Sequence, residues 1–292
     1  MTLFRSLIVA AIALTSIHAC SSDDTEVVDG DDAGDTDAGD TDAGDTDAGD
    51  TDAGETDPGD TDAGADPSAK MTLDLADVAA NPDDYEWFDF RPNLKKLILA
   101  GAAETEHIAI LWYMVEDGGV ALHYHAMTES VYVIDGTQTD AKGTYETGTV
   151  YFNPPGSGHQ VTDSSGFFLL AYAAPPDFMG TDMIEEYTPI RLDTEAADFT
   201  TDNPFEEQDP GIETFAPDLD TAGGMSAEFI ETASEDAYAY EGNYVLVLDG
   251  SCEIDGDTFT EDMLVVTEAV EPVGFTVSAT AGSTCLALAV SF

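Results

Sequence analysis

Between Leu97 and Ala173 the chain is a series of short apolar runs, each stopped after a few residues by a turn signal. The runs cover 97–100, 107–115, 121–125, 130–134, 143–145, 149–152, 159–162 and 167–173. Gly101, Asp117-Gly118-Gly119 and Pro154-Pro155-Gly156 are among the breaks. Runs of this length with turn residues between them read as strands. No segment carries the 3.6-residue period of a long amphipathic helix. An all-β chain of regularly spaced short strands is expected to close into an antiparallel sandwich or barrel. Order is expected to begin near Met71.

Four side chains in this stretch form a donor set. His123 and His125 stand one residue apart, Glu129 follows, and His159 comes after the Pro-Pro-Gly turn. On a strand, residues i and i+2 face the same way, so both imidazoles can address one point. Glu129 adds a carboxylate and His159 a third imidazole. Three nitrogens and one oxygen suit a single divalent metal ion such as Zn, Fe, Mn, Ni or Cu. His107 has no partner at metal spacing and reads as a surface or satisfied core histidine. The aromatic stretch Tyr85–Phe90, stopped at Arg91-Pro92, reads as packing for an outer or end wall.

The stretch from Gly118 through His123, His125 and Glu129 to Gly136 resembles the first cupin motif. The histidine, glutamate and second-glycine spacings match, while Gly118 is one residue closer to His123 than usual. Gly148, Pro154, Gly156 and His159 fall in register with the second cupin motif, and Asp163 stands where asparagine is common. Asp140-Ala141-Lys142-Gly143-Thr144-Tyr145, between the motifs, resembles cupins fused to ChrR-type anti-sigma factors. No anti-sigma region is read in the chain, so that regulatory role is not expected. The resemblance implies a small jelly-roll barrel in which His123, His125, Glu129 and His159 ligate one metal ion. It implies dioxygenases, isomerases and decarboxylases as activities, without choosing among them. Glu129 is a candidate base there, with Tyr113, Tyr124, Tyr151 and Glu116 as candidate acid–base partners.

Shifting the chain by 114 residues lays Val131–Gly136 over Val245–Gly250 and Thr149–Phe152 over Met263–Val266. The second half therefore reads as another jelly roll, a degenerate cupin domain. Its ligand positions fall on Ala237, Ala239, Asn243 and Val273, and no histidine follows His159. It is expected to pack against the first barrel or to build a dimer surface, with an apolar-ligand pocket as the alternative. Cys252 and Cys285 lie in predicted strands of this half, either as a disulfide or as two buried thiols.

The N-terminal part is of another kind. Arg5, an apolar run from Leu7 to Leu14, and Ile17-His18-Ala19-Cys20 read as a secretory signal. Its exit resembles the bacterial lipobox, with Cys20 as the lipidated residue and His18 as a departure. From Asp31 to Gly64 a five-residue Asp-Thr-Asp-Ala-Gly repeat follows. It has no large apolar residue and reads as an extended leash of order 35–40 Å or longer. Glycine at the fifth position and no terminal glutamate argue against an EF-hand. With 61 acidic and 7 basic residues the formal charge is −54. No basic stripe is present to meet phosphates, so nucleic-acid binding is excluded. Such a charge fits a self-repelling, soluble surface or one adapted to high salt.

The expected organisation is a lipoprotein signal peptide at 1–19, a disordered linker at 20–70, a metal-binding cupin domain at 71–180 and a degenerate cupin domain at 181–292. The expected place is the cell envelope, periplasmic or outer-membrane, held through the lipid anchor. Two function classes follow: a metal-dependent enzyme on a small molecule, or a tethered binding or sensing module with a structural metal. The oligomeric state, including a homodimer, stays open.

Overall fold

The computed structural model describes residues 68–115, 118–178 and 186–292. The signal segment, Cys20, the acidic repeat and Glu116 lie outside them. The first half carries β1 (Lys70–Asp74), β2 (Phe88–Arg91), β3 (Leu94–Gly101), β4 (His107–Tyr113), β5 (Val120–Tyr124) and β6 (Glu129–Asp140). It continues with β7 (Gly143–Glu146), β8 (Thr149–Asn153), β9 (Gly158–Val161) and β10 (Asp163–Tyr172), and β11 (Ile190–Asp193) follows beyond residue 180. The second half carries β12 (Glu206–Asp209), β13 (Ile212–Phe215), β14 (Ser226–Thr232), β15 (Tyr238–Gly242) and β16 (Tyr244–Ile254). β17 (Asp257–Thr260), β18 (Met263–Thr267), β19 (Val273–Ala279) and β20 (Cys285–Ser291) complete it.

The pairings are antiparallel, in jelly-roll fashion. One sheet runs β11-β8-β6-β10-β4-β3-β2 and the other β1-β18-β16-β20-β14-β13-β12. Each has a smaller pair beside it, β5 with β9 and β15 with β19. The two strand orders are the same, with β1 standing where β11 stands. The edge strands cross over: β1 pairs with β18, and β11 with β8. Hydrogen bonding thus passes the expected boundary at residue 180 in both directions. β1 also starts at Lys70, inside the span read as linker, and Lys70 Nζ donates to Asp255 Oδ2 and to the Gly274 carbonyl, each at 2.6 Å.

Strand alternation sends successive side chains to opposite faces, and here both faces are covered. On β10, Phe168, Leu170 and Tyr172 fill the first barrel. Their neighbours Phe167, Leu169 and Ala171 join a shared core with Phe229, Leu246, Leu288 and Val290 of the second half. A third cluster, including Ile230, Val245 and Phe275, fills the second barrel. Two covered faces explain why these strands read as continuous apolar runs instead of alternating ones. Cys252 and Cys285 form a disulfide, with Cα atoms 4.9 Å apart, so the two-thiol alternative is removed.

Two glycines allow β6 and β10 to approach. Gly136 and Gly166 are paired and have φ of +93° and +96°. A Cβ on Gly136 would lie 2.1 Å from the Ser165 carbonyl oxygen, and one on Gly166 2.0 Å from that of Asp135.

The fixed 114-residue shift holds along β16, β17 and β18 and fails at β15. His123 pairs with His159, whereas Val273 pairs with Gly242. Only Asn243 separates β15 from β16, so the second half lacks the four-residue connection that carries His125.

Candidate metal centre

The centre is assembled where β5, β6 and β9 meet. His123 on β5 is directly opposite His159 on β9. His125 follows β5 and is locked by its backbone: its N–H donates to the Ser157 carbonyl at 2.9 Å, and its carbonyl accepts from Gly156 N–H at 2.7 Å. Gly156, at φ +84°, completes the Pro-Pro-Gly turn that makes this possible. Glu129 opens β6, between Asn153 on β8 and Tyr172 on β10. All four residues are buried, none more than 5% exposed.

The ligand-type nitrogens of His123, His125 and His159 lie within 4.8 Å of one another. His125 Nε2 and His159 Nε2 are 3.2 Å apart, and Glu129 Oε2 is 3.3 Å from the first and 3.6 Å from the second. The carboxylate thus sits on the His125/His159 side of the cluster. Asn153 Nδ2 donates to the same oxygen at 2.7 Å and holds it there. His123 Nδ1 donates to the Ala121 carbonyl at 2.9 Å, and His159 Nδ1 to Asp140 Oδ2 at 2.9 Å. These bonds leave both Nε2 lone pairs for the site. Burial, with His125 and His159 adding to it, pushes His123 down to about 3. Burial also holds His125 well below the usual imidazole range. Neutral imidazoles and a carboxylate converging in a closed space fit a divalent metal ion.

A cavity of about 20 Å³, room for about one water, adjoins the cluster. Its walls include Phe90, Tyr113, Gln138, Tyr172 and Phe178 beside His123, Glu129 and His159. Tyr172 stacks flat on His125, with ring centroids 5.9 Å apart. Burial first, then the charge of Glu129, push its phenol up. Tyr113 and Tyr151 are buried in the same barrel, and Gln138 Nε2 donates to the Tyr151 hydroxyl at 2.5 Å. Tyr124 lies between the two histidines and ties its backbone to Asp177.

His107 is the satisfied core histidine expected. Its Nδ1 donates to the Thr105 carbonyl at 2.7 Å, and its Nε2 lies 3.0 Å from Lys96 Nζ. Lys96 is 1% exposed, and burial pushes it down to about 8 against the opposing pull of Glu129. The Tyr85–Phe90 stretch divides. Trp87 packs on Trp112 and Phe167 outside the barrel, whereas Phe90 lines the cavity and is no mere wall residue.

Sequence reasoning missed Asp140, Asn153, Lys96 and Tyr172. Asp140 and Asn153 lie within or between the cupin-like motifs, but the motif pattern gives neither of them a role. For Lys96 the available signal was a lysine pair on one strand, since one of two adjacent strand residues has to face inward.

Residues 75–175 match the family model described as ChrR Cupin-like domain. No match is found among curated proteins. Among solved structures, the chain is similar to a candidate dioxygenase of Nostoc punctiforme at 10% identity and a TM-score of 0.52. That alignment covers 77% of this chain and 83% of the other. It is also similar to a variant of salicylate 1,2-dioxygenase from Pseudoaminobacter salicylatoxidans in complex with gentisate: 12% identity, TM-score 0.49, 77% and 82% covered. At such identities the likeness is one of fold. The family-model match spans the barrel that carries the histidines, so residues 75–175 are a cupin-like domain, set in a jelly-roll fold.

Proposed function

We propose that His123, His125, Glu129 and His159 together hold one divalent metal ion, and that the centre acts on a small molecule in dioxygenase- or isomerase-like chemistry. The observation that carries this is the convergence of His125 Nε2, His159 Nε2 and Glu129 Oε2 within 3.6 Å of one another, with His123 closing the group. When bound, a divalent ion supplies Lewis acidity to an oxygen of the molecule it meets. The chain's own residues do the rest. Glu129 holds a negative charge at the centre and can take a proton. Gln138 offers a polar side chain on the cavity wall, and Phe90 and Phe178 exclude water.

The second half is read as a degenerate cupin that has kept the strand order and lost the metal. Asn243 supports this reading. It stands at the position of Glu129 but spends its amide on the Val270 carbonyl and the Phe292 N–H. Export, lipidation at Cys20 and a leash between membrane and barrels complete the proposal, resting on the N-terminal sequence alone. A second reading, a binding or sensing module with a structural metal, is favoured by the small size of the cavity.

Elemental analysis of the chain, purified without added metal or chelator, tests the centre. About one divalent ion per chain is expected. The double variant His123→Ala with His125→Ala is expected to stay folded and lose it. No metal above background after reconstitution sinks the proposal. Dioxygen uptake with an iron-loaded protein then separates catalysis from sensing.

A further inference from the structure

The three histidines differ in what stands behind them. His123 Nδ1 donates to a neutral carbonyl, that of Ala121. His125 Nδ1 has no partner among the described residues. His159 Nδ1 alone donates to a charged group, Asp140 Oδ2, at 2.9 Å. Both side chains of this pair are closed off from solvent, at 2% exposure for His159 and 0% for Asp140. Asp140 also has a second task, carried by its other oxygen. Oδ1 accepts from the N–H groups of Lys142 at 2.6 Å and Gly143 at 3.1 Å, and so pins the turn between β6 and β7. That turn needs only Oδ1; Oδ2 is left for His159.

We infer that Asp140 is the positioning residue of the metal centre, fixing His159 with its proton on Nδ1 and its Nε2 lone pair on the site. A charged acceptor makes a stronger bond than a carbonyl, so His159 is the ligand with its tautomer and ring most firmly set. A carboxylate behind a metal-binding imidazole also raises the basicity of the ligating nitrogen. The inference rests on the proposed ligand set.

Asp140→Asn isolates the role while nearly keeping the shape. If the amide oxygen serves the turn, the amide NH2 faces His159 Nδ1 and drives the imidazole proton to Nε2, where it blocks a metal. If the amide oxygen serves His159, the NH2 group points at the two N–H donors of the turn. In both cases the charge behind the ring is gone.

The test is Zn²⁺ affinity of the full chain, titrated against a competing chelator, together with 15N NMR of the histidine rings in metal-free protein. Asp140→Asn is expected to weaken Zn²⁺ binding by about 10–100-fold. In a His159→Ala background the same change is expected to have no further effect on affinity, because Asp140 acts through His159. The wild-type spectrum is expected to show the Nδ1–H tautomer at His159. An Nε2–H tautomer there overturns the inference without any variant, even if Asp140→Asn fails to fold. Wild-type binding with unchanged affinity in Asp140→Asn overturns it while leaving the metal site standing. Absence of Zn²⁺ binding by the wild type overturns both, and the ring spectra show whether the Asp140–His159 bond was present.

Discussion

A buried imidazole is kept neutral by its surroundings, and His107 shows what that means as the pH falls. Burial first, and the neighbouring Lys96 second, push it from 6.5 down to about 4. Between these values the unfolded chain takes up a proton that the folded chain refuses. The stability is complete above about 6.5 and is lost as the pH drops towards 4, by on the order of 3 kcal/mol. In metal-free protein, His107→Gln keeps an acceptor for Lys96 and removes this titration. Its thermal midpoint is expected to fall less steeply between pH 6.5 and 4 than that of the wild type; parallel curves would refute the assignment. At this scale the sequence was legible where residue type and spacing sufficed. His123 and His125, whose spacing puts both on one strand face, come together with His159 and Glu129. Asp140, Asn153 and Tyr172 were not legible as partners, because they meet His159, Glu129 and His125 only through pairing between strands distant in the chain.

Strand positions were readable from the apolar runs and their breaks, and Gly136, Gly148 and Gly156 of the motifs have the positive φ that only glycine adopts without strain. Register was not readable. Bulges at Ile134 on β6, opposite Phe167 and Phe168, and at Leu248 on β16 shift the pairing by a residue, and nothing local announces them. Pairing of Cys252 with Cys285 was likewise open, since proximity across β16 and β20 is a product of the sheet. That bond spans 33 residues, and closing a loop of this length restricts the unfolded chain by about 3–4 kcal/mol in the chain-entropy account. Cys252→Ser with Cys285→Ser is expected to lose roughly that much in denaturant unfolding. Zn²⁺ affinity is expected to stay as it was, because the bond lies in the barrel without the histidines. A matching fall in affinity would show that the second barrel holds the centre in shape.

Across the whole chain, negative charge far outweighs positive. With 7 basic residues against 61 acidic ones, most carboxylates have no cation to meet, and a pair such as Lys70 with Asp255 neutralises little of the total. Compaction brings like charges together, and salt screens them: the Debye length falls from about 30 Å at 0.01 M to about 3 Å at 1 M. The thermal midpoint is therefore expected to rise with NaCl over this range. A midpoint that stayed level or fell would show that the repulsion is already offset in the fold.

By itself the sequence determined the strand-rich class, the four side chains that converge, the absence of histidine after His159 and the excess of negative charge. Each of these depends on residue type at short spacing, which local sterics and charge translate directly. Only the tertiary structure decided that β1 and β11 exchange sheets, that a single residue, Asn243, joins β15 to β16, and that Asp140 stands behind His159. These depend on which distant strands pair and in what register. That choice is made by burying both faces of the sheets at once, a property of the assembled core and of no single segment.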